Sequence, residues 1–296
     1  MSTRRTALMA TLVLLAVTAA WGSTFFLIKD ILDRIPVLDF LAVRFALATL
    51  AMGLVAPRSV LGLPRDARRH ALALGALYGL GQILQTAGLA HTSASVSGFI
   101  TGMYVVATPL FASWLLRTRI PMLTWAAVGL ATVGLGVLTL RGFALGQGEL
   151  LTLVAAMLYA LHIVGLGAWS QPDRALGMSI VQIGVIAVLC FVATVPDGIV
   201  LPETGADWFA MGYMAIVAGA LGLLGQTWAQ AHLAPTRTAI IMSTEPVFAS
   251  LFAVWLGGES LTVRMLLGGA LVLTAMLLVE IGPRRKVEGE VTHLAG

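Results

Sequence analysis

Tyr78, Gln82 and Gln85 recur at i, i+4 and i+7 within an apolar run, which sets a phenol and two amides on one helix face. Amides donate and accept, so such a stripe can hold both an ammonium and a carboxylate. Gly75, Gly79, Gly81 and Gly88 lie around it. The stripe is either the wall of a substrate cavity or a hydrogen-bonded seam between glycine-packed helices. A second face carries Thr101, Tyr104 and Thr108, beside the small-xxx-small pair Gly98 and Gly102, which suits close helix packing. Upstream stand Trp21, Ser23 and Thr24. Trp21 is either an interfacial anchor or an aromatic cavity wall.

Ionisable groups deep in apolar runs are functional candidates by default. His162 lies about 20 Å along its run at 1.5 Å per residue, close after Tyr159. It either contacts substrate and exchanges a proton or is a neutral imidazole satisfied by a neighbouring helix. Glu245 is the only carboxylate near the centre of a run, and Pro246 beside it is expected to kink the helix. Proton-linked substrate handling is one role for Glu245. Structure or gating across the kink is the favoured one. Arg44 is the only deep basic residue, at a cost of about 3 kcal/mol on insertion scales. It is expected to snorkel outward or to pair with Asp39 or Asp30. Gly219, Gly222 and Gly225 give a smooth helix face, with Gln226 and Trp228 beyond. His91 and His232 fall near run ends, and Cys190 reads as a small apolar residue.

Several chemistries are missing. The sequence holds no Walker motif, no HExxH, no Cys/His zinc spacing and no GxSxG elbow. The expectation is a non-enzyme without cofactor or metal. A membrane-embedded enzyme is the distant alternative.

Side chains of this kind need helices to carry them through hydrocarbon. Of the 296 residues 58% are hydrophobic and 11% charged, against about 25% charged in soluble domains. Mean hydropathy is +0.93. These values exclude disorder, and the single cysteine excludes a disulfide-built domain. The basic balance of +4 is scattered rather than gathered into a face, so nucleic acid is not an expected partner. The remaining class is an all-α membrane protein.

A helix needs about 20 apolar residues to cross the hydrocarbon. Ten runs meet that length, over residues 7–28, 36–56, 71–91, 94–116, 121–141, 148–169, 176–196, 206–231, 236–256 and 261–281. With the N-terminus inside, 13 of the 18 Lys and Arg fall in inside segments, while the segment from Asp197 to Asp207 is acidic and lies outside. That alternation supports ten spans with both termini cytoplasmic. Arg4 and Arg5 ahead of an apolar run resemble a signal peptide, but the run continues through Phe25 and Phe26. The first helix is therefore expected to stay.

The halves resemble each other. A shift of 141 lays His91 on His232, Phe111-Ala112 on Phe252-Ala253 and Trp114-Leu115 on Trp255-Leu256. A shift of 138 lays Trp21 on Tyr159 and Leu15 on Leu153. Chance similarity among apolar segments is the alternative. A repeat of five spans must invert in the membrane, and inverted repeats place substrate near the midplane between them. The expected organisation is a first five-helix repeat over 1–141, a second over 142–282 and a cytoplasmic tail over 283–296.

These residues carry a family resemblance. Trp21-Gly22-Ser23-Thr24, Arg44-Phe45, Thr92-Ser93-Ala94-Ser95, Glu245-Pro246-Val247-Phe248-Ala249 and Gly258-Glu259 stand in the order and spacing of the drug/metabolite transporter superfamily, EamA type. Within it the chain most resembles bacterial YddG-type amino-acid exporters. The resemblance implies a multi-pass inner-membrane exporter of aromatic or neutral amino acids, or similar metabolites, working by alternating access. Lipophilic cations or drugs are the alternative cargo. A phosphate-bearing cargo would want more basic groups than Arg44 near the midplane. The expected partners are a small-molecule substrate and the lipid bilayer, and the expected assembly is a monomer. The candidate substrate-binding residues are Trp21, Thr24, Tyr78, Gln82, Gln85, Thr101, Tyr104, Tyr159, His162 and Gln226. The candidates for coupling or gating are Glu245, His162 and Arg44.

Overall fold

A computed structural model describes residues 3–115, 122–139, 146–194, 198–233, 235–242 and 244–281. The expected tail over 283–296 lies outside them, as do Arg117, Arg119 and Arg141. The described chain is helical, with no strand among the described residues. In order the helices are α1 (Thr3–Ile31), α2 (Val37–Val55), α3 (Pro57–Leu61), α4 (Arg65–Ala90), α5 (Ala94–Thr101), α6 (Tyr104–Leu115) and α7 (Met122–Thr139). Then follow α8 (Gln147–Trp169), α9 (Ala175–Thr194), α10 (Gly205–Tyr213), a π-helical segment (Met214–Leu221), α11 (Gly222–Gln230), α12 (Pro235–Met242), α13 (Glu245–Trp255) and α14 (Val263–Ile281). Among the described residues, seven helical stretches are long and apolar enough to cross a membrane, with shorter apolar helices at Trp125–Gly134, Glu245–Trp255 and Val263–Ala275. Leu54, Phe209 and Trp255 lie on the outer surface, as side chains do where hydrocarbon is the solvent.

The runs over 94–116 and 236–256 differ from the single helices read from sequence. Each is two helices. Gly102 and Met103 separate α5 from α6, and Thr244 caps the start of α13. Pro246 therefore opens a helix instead of kinking one. Its missing N–H falls in the first turn, where no intrahelical partner exists. Glu245 stands in that same first turn, where the helix dipole favours an acid.

Elements from the two halves interlock. The helix α4 packs along α8 and α9, α1 along α13 and α11, and α7 along α14. Glycine makes the approach close. A Cβ at Gly81 would stand 2.6 Å from the Tyr159 ring, and one at Gly75 2.9 Å from the Gln182 backbone. One at Gly98 would meet the Ala249 Cβ at 2.6 Å, and one at Gly222 the Trp21 indole nitrogen at 2.5 Å. The small residues flagged in the sequence thus mark helix contacts.

Matching contacts close the two ends of the bundle. Lys29 Nζ donates to the carbonyls of Leu89 and Ala90 at 3.0 and 3.2 Å, at the C-terminus of α4. At the opposite end of α4, His70 stacks on Trp169 at 4.3 Å. Along α4 these points lie about 30 Å apart at 1.5 Å per residue. At the Lys29 end Arg34 meets Asp207 at 2.6 Å. At the other end Arg174 meets Asp66 at 3.5 Å. Arg34 and Arg174 are 140 positions apart, and Asp66 and Asp207 are 141 apart. The two bridges occupy equivalent places in the two halves.

Candidate functional site

One cavity gathers the polar stripe and its counterparts. Tyr78, Gln82 and Gln85 reach it from α4, Trp21 and Thr24 from α1, and Thr101 and Tyr104 from the break between α5 and α6. Tyr159 and His162 reach it from α8, Gln226 from α11 and Glu245 from α13. Arg44 of α2 completes the polar lining. Every residue singled out in the sequence as a binding, coupling or gating candidate lines this one cavity.

The lining is paired between halves. Trp21 and Tyr159, Thr24 and His162, and Phe25 and Ile163 stand 138 positions apart. Gln85 and Gln226, Thr101 and Met242, and Tyr104 and Glu245 stand 141 apart. These are the offsets at which the halves align. A cavity that draws like positions from both halves lies between them.

Hydrogen bonds join the stripe to its surroundings. Gln82 Nε2 donates to Tyr159 Oη at 2.8 Å, and that phenol donates to Gln85 Oε1 at 2.8 Å. Gln85 Nε2 then donates to Thr101 Oγ1 at 3.0 Å. Four side chains from α4, α8 and α5 thus form one chain across the wall. Tyr104 Oη reaches both the Met242 carbonyl at 2.8 Å and Glu245 Oε2 at 2.9 Å. His162 Nε2 pairs with Gln182 at 2.8 Å while its ring stacks on Tyr78 at 5.0 Å. Gln182 was not among the expected residues, and a neighbouring helix supplies it, as the satisfied-imidazole reading of His162 requires.

The π-helical segment adds two contacts. Its Ala218 carbonyl accepts from Trp21 Nε1 at 2.7 Å, so Trp21 is both a cavity wall and an anchor to the opposite half. Its Met214 carbonyl accepts from Arg44 Nε at 3.1 Å. Such segments recur at functional sites because the widened turn redirects carbonyls. Arg44 takes neither expected partner. Asp39 accepts from the Val200 amide at 3.0 Å, and Asp30 holds Arg34 at 2.6 Å. Nor does Arg44 snorkel: it is 3% exposed, with Phe45 and Phe40 at 5.1 and 5.8 Å from its guanidinium carbon.

The remaining candidates divide. Thr108 returns its hydroxyl to the Tyr104 carbonyl at 2.7 Å, and Ser23 pairs with the Tyr213 hydroxyl at 2.7 Å. Both secure helices outside the lining. His232 bonds the Trp228 carbonyl at 2.9 Å, and its ring packs on Trp228. Gln226 Nε2 donates to Gln230 Oε1 at 3.0 Å, and Gln230 donates on to the Ile163 carbonyl at 2.9 Å. Gln226 Oε1 is buried and accepts nothing. Gln230 was missed because it lies beyond the stripe's register. Gln226 and Glu245, both expected from the sequence, stand at the offset of 141 from Gln85 and Tyr104.

The cavity offers about 40 Å³ to the centres of water molecules. A single water takes about 10–15 Å³ on that measure. Waters fit as the lining stands, and anything of amino-acid size requires the walls to move apart.

The EamA-like transporter family matches the chain twice, over residues 8–140 and 146–281. An uncharacterized transporter of Archaeoglobus fulgidus is 29% identical over 276 residues, spanning 93% of this chain and 86% of that protein. The uncharacterized inner membrane transporter YedA of Escherichia coli K12 is 24% identical over 278 residues, spanning 91% and 90%. A crystal structure of a protein 19% identical in sequence shares the fold, with a TM-score of 0.66 over 95% of this chain and 99% of that one.

Proposed function

This chain belongs to the EamA-like transporter family and is a multi-pass inner-membrane transporter, and from that premise we propose that it exports amino acids of aromatic or neutral type, or metabolites of similar size. The subtype is that of the YddG-type exporters. The transport unit is a monomer of ten spans, arranged as two inverted repeats over 1–141 and 142–282 with both termini cytoplasmic. No cofactor takes part.

The observation that carries this reading is the composition of the cavity. Three tyrosines and a tryptophan offer apolar faces, three glutamines and hydroxyls offer donors and acceptors, and one guanidinium and one carboxylate share the lining. Aromatic faces suit an apolar side chain. The amides suit the two charged ends of an amino acid. A lipophilic cation would find Glu245 and the rings, but it would also meet Arg44, whose charge repels it at low dielectric.

Alternating access is supported by the paired closures. The Arg34–Asp207 and Arg174–Asp66 bridges sit at equivalent positions at opposite ends of α4. Each ties the two halves together at one end only. Opening one while holding the other exposes the cavity to one side, the rocking that repeat transporters use.

Uptake of labelled Phe, Met, Thr, Lys and Glu into proteoliposomes, with and without an imposed pH gradient, tests the proposal. Saturable uptake of Phe, Met or Thr is expected. Failure of every member, with protein shown to be folded and inserted, overturns the amino-acid reading and moves lipophilic cations to first place.

A further inference from the structure

Among the described residues two polar groups in the cavity are only partly satisfied. Arg44 is buried, and Nε to the Met214 carbonyl is its only hydrogen bond among the described residues. Its four remaining N–H donors meet no acceptor among the described residues. Among the described residues no carboxylate pairs with it: Asp39 receives Val200, Asp30 and Asp207 hold Arg34, and Glu245 receives Tyr104. Gln226 is 2% exposed, its amide nitrogen is spent on Gln230, and its Oε1 accepts nothing.

These vacancies have complementary chemistry. A desolvated guanidinium is costly until an anion meets it, and its planar fork matches a carboxylate in two parallel bonds. A buried amide oxygen without a donor is likewise costly and suits an ammonium. Much of the rest of the wall is joined within itself, as in the series Gln82, Tyr159, Gln85, Thr101. Arg44 also breaks the pairing of the lining, since positions 182–185, its matches in the second half, carry no basic residue. The charge therefore gives the cavity a polarity that its paired positions do not cancel.

We propose that Arg44 receives the carboxylate of the cargo and Gln226 Oε1 its ammonium, so that the recognised class is the free α-amino acid and not its ester, amide or decarboxylated amine. This rests on the cavity being the transport site. It makes Arg44 a substrate-binding group, where the sequence pointed to a structural one.

The test takes whichever of Phe, Met or Thr is carried fastest. It compares that amino acid with its methyl ester, its decarboxylated amine and its des-amino acid as competitors of uptake in proteoliposomes. The unsubstituted protein is expected to bind the ester and amine at least tenfold more weakly than the amino acid. In Arg44→Gln that preference is expected to fall to within about twofold. Gln226→Leu should instead erase the preference over the des-amino acid and leave the preference over the ester in place. Equal competition by ester, amine and amino acid in the unsubstituted protein overturns the assignment while the transport reading stands. So does a carboxylate preference that survives in Arg44→Gln. Uptake of no amino acid at all overturns both. The analogue series decides on the unsubstituted protein alone if Arg44→Gln does not fold, and Arg44→Lys, which keeps the charge and loses the fork, is expected to fall between.

Discussion

Tyr104 donates to Glu245 Oε2 at 2.9 Å across the two halves, and the two residues stand 141 positions apart, the offset that lays His91 on His232. Equivalent positions of a two-fold arrangement touch each other only at its axis. The contact thus places the pairing centre at the start of α6 and of α13, where each half breaks a helix. The single proton of the phenol lies within reach of both the carbonyl that ends α12 and the carboxylate that opens α13.

Tyr104→Phe removes that donor and keeps the ring. It leaves the Met242 carbonyl and Glu245 buried without it, a loss of about 1–3 kcal/mol for an unsatisfied buried group. Thermal unfolding of the purified protein in detergent is expected to show the loss. Glu245→Gln retains an acceptor and should cost less. A double-mutant cycle between the two positions is expected to give a coupling energy clearly above zero. Additive effects would deny that the contact joins the halves.

Gln82→Leu removes the amide and leaves a branched apolar side chain one bond shorter. Tyr159 then lacks the donor that fixes its hydroxyl lone pair, although it still donates to Gln85. Flux in proteoliposomes is expected to fall about tenfold, the equivalent of roughly 1.4 kcal/mol, with unchanged membrane expression. Unchanged flux would remove Gln82 from the working wall.

The sequence made the cavity legible because its signals were local. The spacing of Tyr78, Gln82 and Gln85 fixes one face of one helix, and polar groups have few reasons to lie at that depth. Partner choice was less legible. Gln182 lies on another helix from His162, and Gln230 on another from the Ile163 carbonyl it reaches, so only packing brings these pairs together. The π-helical segment left no mark beyond Gly219, yet it supplies the carbonyls that hold Trp21 and Arg44. Arg44 was misjudged because its nearest acids in sequence, Asp39 and Asp30, are claimed by Val200 and Arg34. Pro246 was misjudged because a proline inside an apolar run reads as a kink until the preceding helix is seen to have ended.

The two end bridges should act in opposite senses. Asp207→Asn weakens the closure at the Arg34 end, and Asp66→Asn the one at the Arg174 end. A thiol introduced by Thr24→Cys lines the cavity, and Cys190→Ser removes the only native cysteine. An impermeant thiol reagent applied to each side in turn then reports access. Each substitution is expected to raise the rate from its own side about two- to fivefold, the range of an exposed or half-exposed ion pair. The effect should shrink as salt rises. Equal increases from both sides would deny that the bridges are separate closures.

Glu259 is expected to matter for stability although it lies outside the cavity. Its carboxylate accepts from the amides of Ala94 and Ser95 at 2.6 and 3.3 Å, at the first turn of α5. Gly258 makes this reach possible, since its φ of +70° is a conformation that side chains disfavour. The carboxylate satisfies orphan donors and meets the positive end of the helix dipole. Helix α5 ends in Thr101, which closes the hydrogen-bonded chain from Gln82, so a frayed α5 loosens the wall. Glu259→Ala should therefore lower the unfolding free energy by about 1–2 kcal/mol, the usual cost of a lost cap, and reduce flux with it. Glu259→Gln keeps an acceptor oxygen and should recover part of both. A full loss of flux in Glu259→Ala at unchanged thermal stability would point to direct contact with cargo instead, and would move Glu259 from support of the wall to the transport path itself.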